Sequence, residues 1–332
     1  MVTRTTKILI ALAAVAMVGV VFAGWQGVRA WNAWNRIERV EFDLEAAREE
    51  LPKAVLDHEG QVGPAPTIAT VTYDTVLIIG SDERTESSSE RQNDAYADAI
   101  MLYLLPDNGS GPLIISLPRD LIVVDPCTGV EAKLDRTLAG CGETIGGEEL
   151  VALAVEDFTG VGVDNFASFR FEAFVSAVDG VGGIEICVPH ALREGASDLL
   201  PAGCTIADGA TALRWIRSRQ TQELVDGEWR FAEDVGDTVR VQRQQTLIFA
   251  LLDRLKGLRS PADLAGLAED LGSAIVLDET LQLADAVSMV WDLRSVSGSS
   301  IRTLTIPTEP AVLPDGSFAV RATTTFAELV EG

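Results

Sequence analysis

Three short apolar runs, residues 75–80 (TVLIIG), 99–105 (AIMLYLL) and 113–117 (LIISL), constrain what this chain can fold into. Each is built from apolar and β-branched residues and has turn formers on its flanks, the signature of a strand. Pro106-Asp107-Asn108-Gly109-Ser110-Gly111 between the second and third is a hairpin-type connection. Further along, helices are expected over 148–158, 171–178, 208–215, 238–255, 261–271 and 281–291. A strand is expected at 184–188, entered through Gly180-Val181-Gly182-Gly183, and another near 301–306. Strands early and helices later predict an α/β fold, a three-layer α-β-α arrangement with helices on both faces of a central mixed sheet. With 332 residues, 47% of them hydrophobic, there is ample length for a core in one large domain or two small ones.

The N-terminus has its own character. Residues 8–28 carry no charge and 8–25 are nearly all apolar, which at about 1.5 Å per residue spans roughly 30 Å, a bilayer core. Arg4 and Lys7 precede the run and favour an inside N-terminus; Trp25, Trp31 and Trp34 follow it, as rings at the outer interface do. The expected division is a cytoplasmic tail (1–7), a transmembrane anchor (8–25), a juxtamembrane helix and linker (26–70) and an extracellular domain (71–332). The helix covers 29–50, and Pro64 and Pro66 mark the linker. A signal peptide cleaved after Val21-Phe22-Ala23 is the alternative, and it too exports the body. The cysteines agree with export. Cys127 and Cys141 lie in one loop-rich region and Cys187 and Cys204 in another, so local disulfides are expected. A zinc site is the rival, disfavoured because no CxxC spacing occurs and His58 and His190 are far from most of the cysteines.

Charge separates the functional classes. The formal net charge is -24, which disfavours a nucleic-acid partner, since phosphate-backbone binding needs a basic surface. Against that background, six arginines (Arg214, Arg217, Arg219, Arg230, Arg240 and Arg243) fall within thirty residues. Planar guanidinium donors match phosphate oxygens in pairs, so several of them around one pocket call for a polyanion. Arg217 and Arg219, placed on extended chain after a helix, would point the same way. Asp237 would cap the next helix, with Arg240 one turn in and Gln244 a turn further on the same face. Arg243 is read either as a salt-bridge partner or as a ligand contact.

If the first three strands form an antiparallel meander, the exit of the first, the entrance of the second and the exit of the third share one sheet edge. Asp82, Asp98 and Arg119 (in Pro118-Arg119-Asp120) then converge there, where loop-end side chains on a rigid scaffold tend to carry function. The bland reading is that the two aspartates cap turns.

In order, these features are Ile-Gly-Ser-Asp82, Asp98 at the head of a strand, Pro118-Arg119-Asp120, Lys133 and Val178-Asp179-Gly180-Val181-Gly182-Gly183. Arg217-x-Arg219 and Asp237-x-x-Arg240-x-x-Arg243-Gln244-Gln245 follow. From about Val76 to Leu255 the chain resembles the LytR-CpsA-Psr family, and the last block is the most specific part of the match. The resemblance implies a membrane-anchored phosphotransferase. It would move a glycopolymer from a polyprenyl-pyrophosphate carrier to peptidoglycan, with pyrophosphatase activity in many members. It implies Asp82 and Asp98 holding Mg2+ (or Mn2+), and Arg119, Lys133, Arg217, Arg219, Arg240 and Gln244 contacting the lipid pyrophosphate. Asp82, Arg119 and Arg240 would be the catalytic residues. Tyr96 stands where the family usually has arginine; either Arg84 or Arg91 substitutes for it or the pyrophosphate loses one positive contact. A phenylalanine-rich region (Phe158, Phe166, Phe169, Phe171, Phe174) is read as core, with a lipid tunnel as the alternative. A non-catalytic lipid-phosphate sensor and a plain pyrophosphatase are the competing functions. Composition points weakly to an actinobacterial wall, and hence to arabinogalactan.

Overall fold

A computed structural model describes residues 28, 31–32, 34–51, 73–81, 97–106, 111–218, 220–232, 243, 275–281 and 302–331. In chain order the first elements are β1 (Glu38–Val40), α1 (Leu44–Glu50), β2 (Tyr73–Ser81), β3 (Ala97–Pro106), β4 (Leu113–Leu117), β5 (Ile122–Val124) and β6 (Glu131–Lys133). A 3-10 turn (Leu134–Ala139) leads to α2 (Gly147–Thr159), β7 (Asn165–Arg170), α3 (Phe171–Gly180) and β8 (Ile184–Val188). β9 (Leu192–Glu194), β10 (Ser197–Leu200), β11 (Gly203–Ala207), α4 (Gly209–Arg217), β12 (Thr221–Val225) and β13 (Glu228–Phe231) follow. The last described elements are β14 (Ile275–Asp278), β15 (Arg302–Thr305), β16 (Thr308–Val312), β17 (Phe318–Ala322) and α5 (Phe326–Glu331).

The centre is a mixed seven-stranded sheet in the order β1-β14-β7-β2-β3-β4-β15. β2, β3 and β4 are successive antiparallel neighbours, while β7 lies parallel to β2 and β15 parallel to β4. Side chains alternate across the pleat. Leu77, Ile79, Ile100, Leu102, Leu104, Leu113, Ile115 and Leu117 pack into one cluster with Val151, Ala152, Ala154 and Val155 of α2. Met101, Tyr103 and Ile114, buried on the opposite face, cluster with Val76 and Ile78. Both faces of the meander are therefore covered, which is why its runs are apolar throughout instead of alternating with polar residues.

A second core joins α3 and α4 to the neighbouring hairpins through Val178, Ile184, Ile186, Leu200, Ala212 and Trp215. Cys187 and Cys204 are register partners on β8 and β11 and form a disulfide; Cys127 and Cys141 form the other. With all four sulfurs in disulfides, the zinc alternative for these cysteines falls away.

Two expectations are revised. The helix over 29–50 is broken, because Glu38–Val40 is a strand pairing in parallel with β14. Burial of Ile37 beside Ala167, Ile275, Leu277 and Leu281 overrides the helical spacing there. Asp43 then caps α1 by accepting from the Glu45 and Ala46 amides, and Arg48 pins α1 to α2 through Glu156 and Asp157, both at 2.9 Å. The core reading of Phe158, Phe166, Phe169 and Phe174 holds, and these four do not line one tunnel. Phe166 is fully buried against Phe42, with ring centroids 4.9 Å apart, while Phe158, Phe169 and Phe174 pack against three different clusters. Arg217 ends a helix and does not begin extended chain. Residues 8–25 and the expected helices over 238–255 and 261–271 lie outside the described residues, apart from Arg243, as does 281–291 beyond Leu281. Among the described residues no helix is long and apolar enough to cross a membrane.

Asp278 ties the sheet to its N-terminal edge. Fully buried, it accepts from the Phe166 amide at 3.1 Å and the Leu281 amide at 2.8 Å, while its own backbone carbonyl and that of Leu281 accept from Arg39. Asp278→Ala leaves both amides without an acceptor and should cost about 3 kcal/mol in urea unfolding. A loss below about 1 kcal/mol would contradict this role.

Candidate functional site

The register brings the expected strand ends to one edge of the sheet. Ser81, the last residue of β2, pairs with Ala97, the first of β3, and Ile100 pairs with Leu117 at the end of β4. Gly80 pairs with Ala99 and Ser81 with Ala97, so Asp98 is the extra residue of a β-bulge. Such a bulge bends the strand and alters its local twist. Asp82, the next residue after Ser81, lies outside the described residues. The donor set nevertheless suits a hard divalent cation, since two aspartates in sequence contact with one cross-strand pair offer carboxylate oxygens. Arg170, which the sequence reading missed, ends β7 in register with Ser81. Only the pairing reveals it, because the aromatic spacing of Asn165–Arg170 hides a strand.

Beyond β4 the chain turns tightly, with the Leu121 amide donating to the Pro118 carbonyl at 3.0 Å. It returns through β6, so that the Asp135 amide donates to the Arg119 carbonyl at 2.9 Å. Arg119 and Lys133, fourteen positions apart in sequence, meet on one carboxylate. Lys133 Nζ is 2.7 Å from Asp120 Oδ1, and Arg119 Nε is 3.5 Å from Asp120 Oδ2. Asp120 thus holds two cations side by side that would otherwise repel. Asp135 lies behind them, 6% exposed, and its Oδ1 has no hydrogen-bond partner among the described residues. Its carboxyl is pushed up to about 6, first by burial and then by repulsion from Asp120, with Arg119, Lys133 and Arg136 opposing.

Helix α4 carries Arg217 and is fixed at its start. Asp179, in the Val178–Gly183 motif, accepts from the Gly209 amide at 2.8 Å, and Asp208 caps the Thr211 amide at 2.8 Å. Only glycine fits at 209, because a Cβ there would lie 2.3 Å from the Val175 carbonyl oxygen. At the other end Arg243 donates to the carbonyls of Trp215 and Ser218 and to Thr221 Oγ1, each at 3.1 Å. Its guanidinium lies 5.6 Å from the centre of the Trp215 ring. Burial pulls its pKa down, and the Glu194 carboxylate opposes that.

The arginine cluster therefore separates by role. Among the described residues Arg243 bonds to two backbone carbonyls and one hydroxyl and bridges no carboxylate. Arg230 stands on β13, 3.8 Å from Glu228 and more than half exposed. Arg214 and Arg217 are exposed on the last turn of α4. Arg119 and Lys133 are brought together; Arg219, Arg240 and Gln244 lie outside the described residues, as does Tyr96.

A mixed α/β body with Arg119 and Lys133 paired beyond one end of the central strands defines a class, and comparison identifies it. Residues 51–328 match the model of the LytR_cpsA_psr family, and the chain belongs to that family. The cell wall biosynthesis protein LcpA of Corynebacterium glutamicum is 28% identical over 271 residues, covering 70% of this chain and 49% of its own length. The chain thus spans about half the length of that relative. The Bacillus subtilis polyisoprenyl-teichoic acid–peptidoglycan teichoic acid transferase TagT is 26% identical over 247 residues, 71% of this chain and 69% of its own. The solved LytR-Csp2A-Psr enzyme from Actinomyces oris shares the fold, with a TM-score of 0.62 at 24% identity over 89% of this chain and 94% of that one.

Asp135 makes a pH-dependent contribution of known sign. The folded protein keeps this proton up to about pH 6, whereas an ordinary aspartate, at 3.8, has lost it. Its stabilising share is therefore complete below about pH 4 and disappears as pH rises through about 6, on the order of 2–3 kcal/mol. Asp135→Asn should remove that slope, so that its stability relative to the parent rises between about pH 4 and pH 7 in paired urea titrations. Parallel pH profiles for the two proteins would contradict it.

Proposed function

We propose that this protein is a membrane-anchored phosphotransferase that moves a glycopolymer from a polyprenyl-pyrophosphate carrier to peptidoglycan, with its body outside the membrane. The observation that carries the reading is Arg119 and Lys133 held together by Asp120 beyond the sheet edge where β2, β3 and β4 meet. Membership of the family supports it, as does the role of its relative TagT as a teichoic acid transferase. The apolar run over 8–25 supports the anchor, and burial of both sheet faces supports the three-layer arrangement.

The chemistry follows from charge. As the bond between the sugar-proximal phosphorus and its bridging oxygen breaks, negative charge grows on the leaving polyprenyl phosphate. Guanidinium groups from Arg119, Arg217, Arg219 and Arg240, with Lys133, would supply donors for that charge. Gln244 adds a neutral contact. Asp82 and Asp98 would hold Mg2+ (or Mn2+), which when bound neutralises pyrophosphate oxygens. A peptidoglycan sugar hydroxyl attacks in line and loses its proton, for which Asp82 is the candidate acceptor. A phosphodiester forms and polyprenyl phosphate departs. With water as the nucleophile the same site would act as a pyrophosphatase. Arabinogalactan is the polymer that composition favours.

The test supplies a polyprenyl-pyrophosphate-linked glycan with peptidoglycan acceptor and follows the polymer. The reading expects polymer to become attached through phosphate, with attachment lost in Arg219→Ala and Arg240→Ala while unfolding midpoints stay put. Hydrolysis without attachment would leave a pyrophosphatase, and binding without turnover a sensor. Full transfer in both variants would remove the mechanism.

A further inference from the structure

We infer that Arg243 is a positioning residue, the clamp that holds the Arg217-Ser218-Arg219 segment in place for its anion. The inference rests on the reading of Arg217, Arg219 and Arg240 as diphosphate ligands, and it concerns a residue that touches protein, not ligand.

The argument begins with the end of α4. The last carbonyls of a helix have no intrahelical donor, and cations near a C-terminus suit its dipole. Trp215 is two residues from the end of α4, and Ser218 is its C-cap, donating its own amide back to the Arg214 carbonyl at 2.9 Å. One nitrogen of Arg243 serves both the Trp215 and Ser218 carbonyls, while the other reaches Thr221 Oγ1. Thr221 is in turn bonded to Ser218 through their hydroxyls at 2.8 Å, and both residues are buried. Arg219 is therefore bracketed in sequence by two residues that one side chain fastens. Arg243 also stands between Arg240 and Gln244 in the chain, so these bonds join one residue of the second arginine block to the first.

The chemistry explains why arginine is needed here. Its planar fork reaches three acceptors in different directions, whereas an ammonium is a compact point charge on a flexible stem. Nη1 and Nη2 both bond protein acceptors and the indole of Trp215 lies beside the guanidinium, so Arg243 is anchored to the end of α4. Its effect on the reaction passes through the geometry of its neighbours.

Hydrogen exchange on the full chain, without ligand, tests the clamp directly. Arg243→Ala and Arg243→Lys should each speed amide exchange in residues 212–222 by about tenfold or more, leaving the β16–β17 hairpin unchanged. Affinity for farnesyl pyrophosphate as a probe should fall by about the same factor, and methylguanidinium should restore both properties to Arg243→Ala. Arg230→Ala, at an exposed position, should alter neither. Unchanged exchange in 212–222, or an Arg243→Lys protein that matches the parent, overturns the inference. Because exchange is read without ligand, failure of the parent chain to bind the probe sinks the diphosphate reading and leaves the clamp to be judged on its own result.

Discussion

Antiparallel pairing of β2, β3 and β4 is the constraint on which the site depends. Register partners such as Ser81 and Ala97, or Ile100 and Leu117, leave no freedom in where these strands begin and end. A slip of one residue would turn Leu77, Ile79, Leu102 and Ile115 from one face to the other, undoing both buried layers at once. The core therefore enforces the alignment that sets Ser81, Ala97 and Leu117, and with them the approach to Asp82, Asp98 and Arg119, at one edge. The functional geometry follows from packing some distance away from it.

Cations are then assembled in a protein of strong opposite charge. Bringing Arg119 and Lys133 together is costly without a counter-charge, and Asp120 supplies one from the same turn. Asp179 and Asp208 do comparable work through backbone amides, setting the start of α4 so that Arg217 emerges at its end. These acidic groups act as scaffolding for the basic ones. Asp135 differs, since its carboxyl is buried, lacks a partner at Oδ1 among the described residues and sits behind the pair. Deprotonated, it would subtract from the positive charge that Arg119 and Lys133 present.

What could be read from sequence follows the range of the forces involved. The meander runs and β8 were legible because each carries its own apolar pattern, and 113–117 and 184–188 match the observed strands at both ends. Helices over 148–158 and 208–215 differ from the structure by two residues or fewer at each end, as expected where caps blur the boundary. Glu38–Val40 was misread because its strand character comes from β14, more than two hundred residues away. Arg170 and Asp135 were invisible for the same reason, as register places one and a returning β6 the other. The convergence of Arg119 with Lys133 came from a motif resemblance, while its agent, Asp120, appears only in three dimensions.

The measurement that bears most directly on the account is a crystal structure of the chain with a polyprenyl pyrophosphate bound. The account predicts phosphate oxygens at hydrogen-bonding distance, about 2.7–3.2 Å, from Arg119 and Arg217, over the edge formed by Ser81, Ala97 and Leu117. A diphosphate seated elsewhere, with Arg119 and Lys133 engaged only with Asp120, would contradict it.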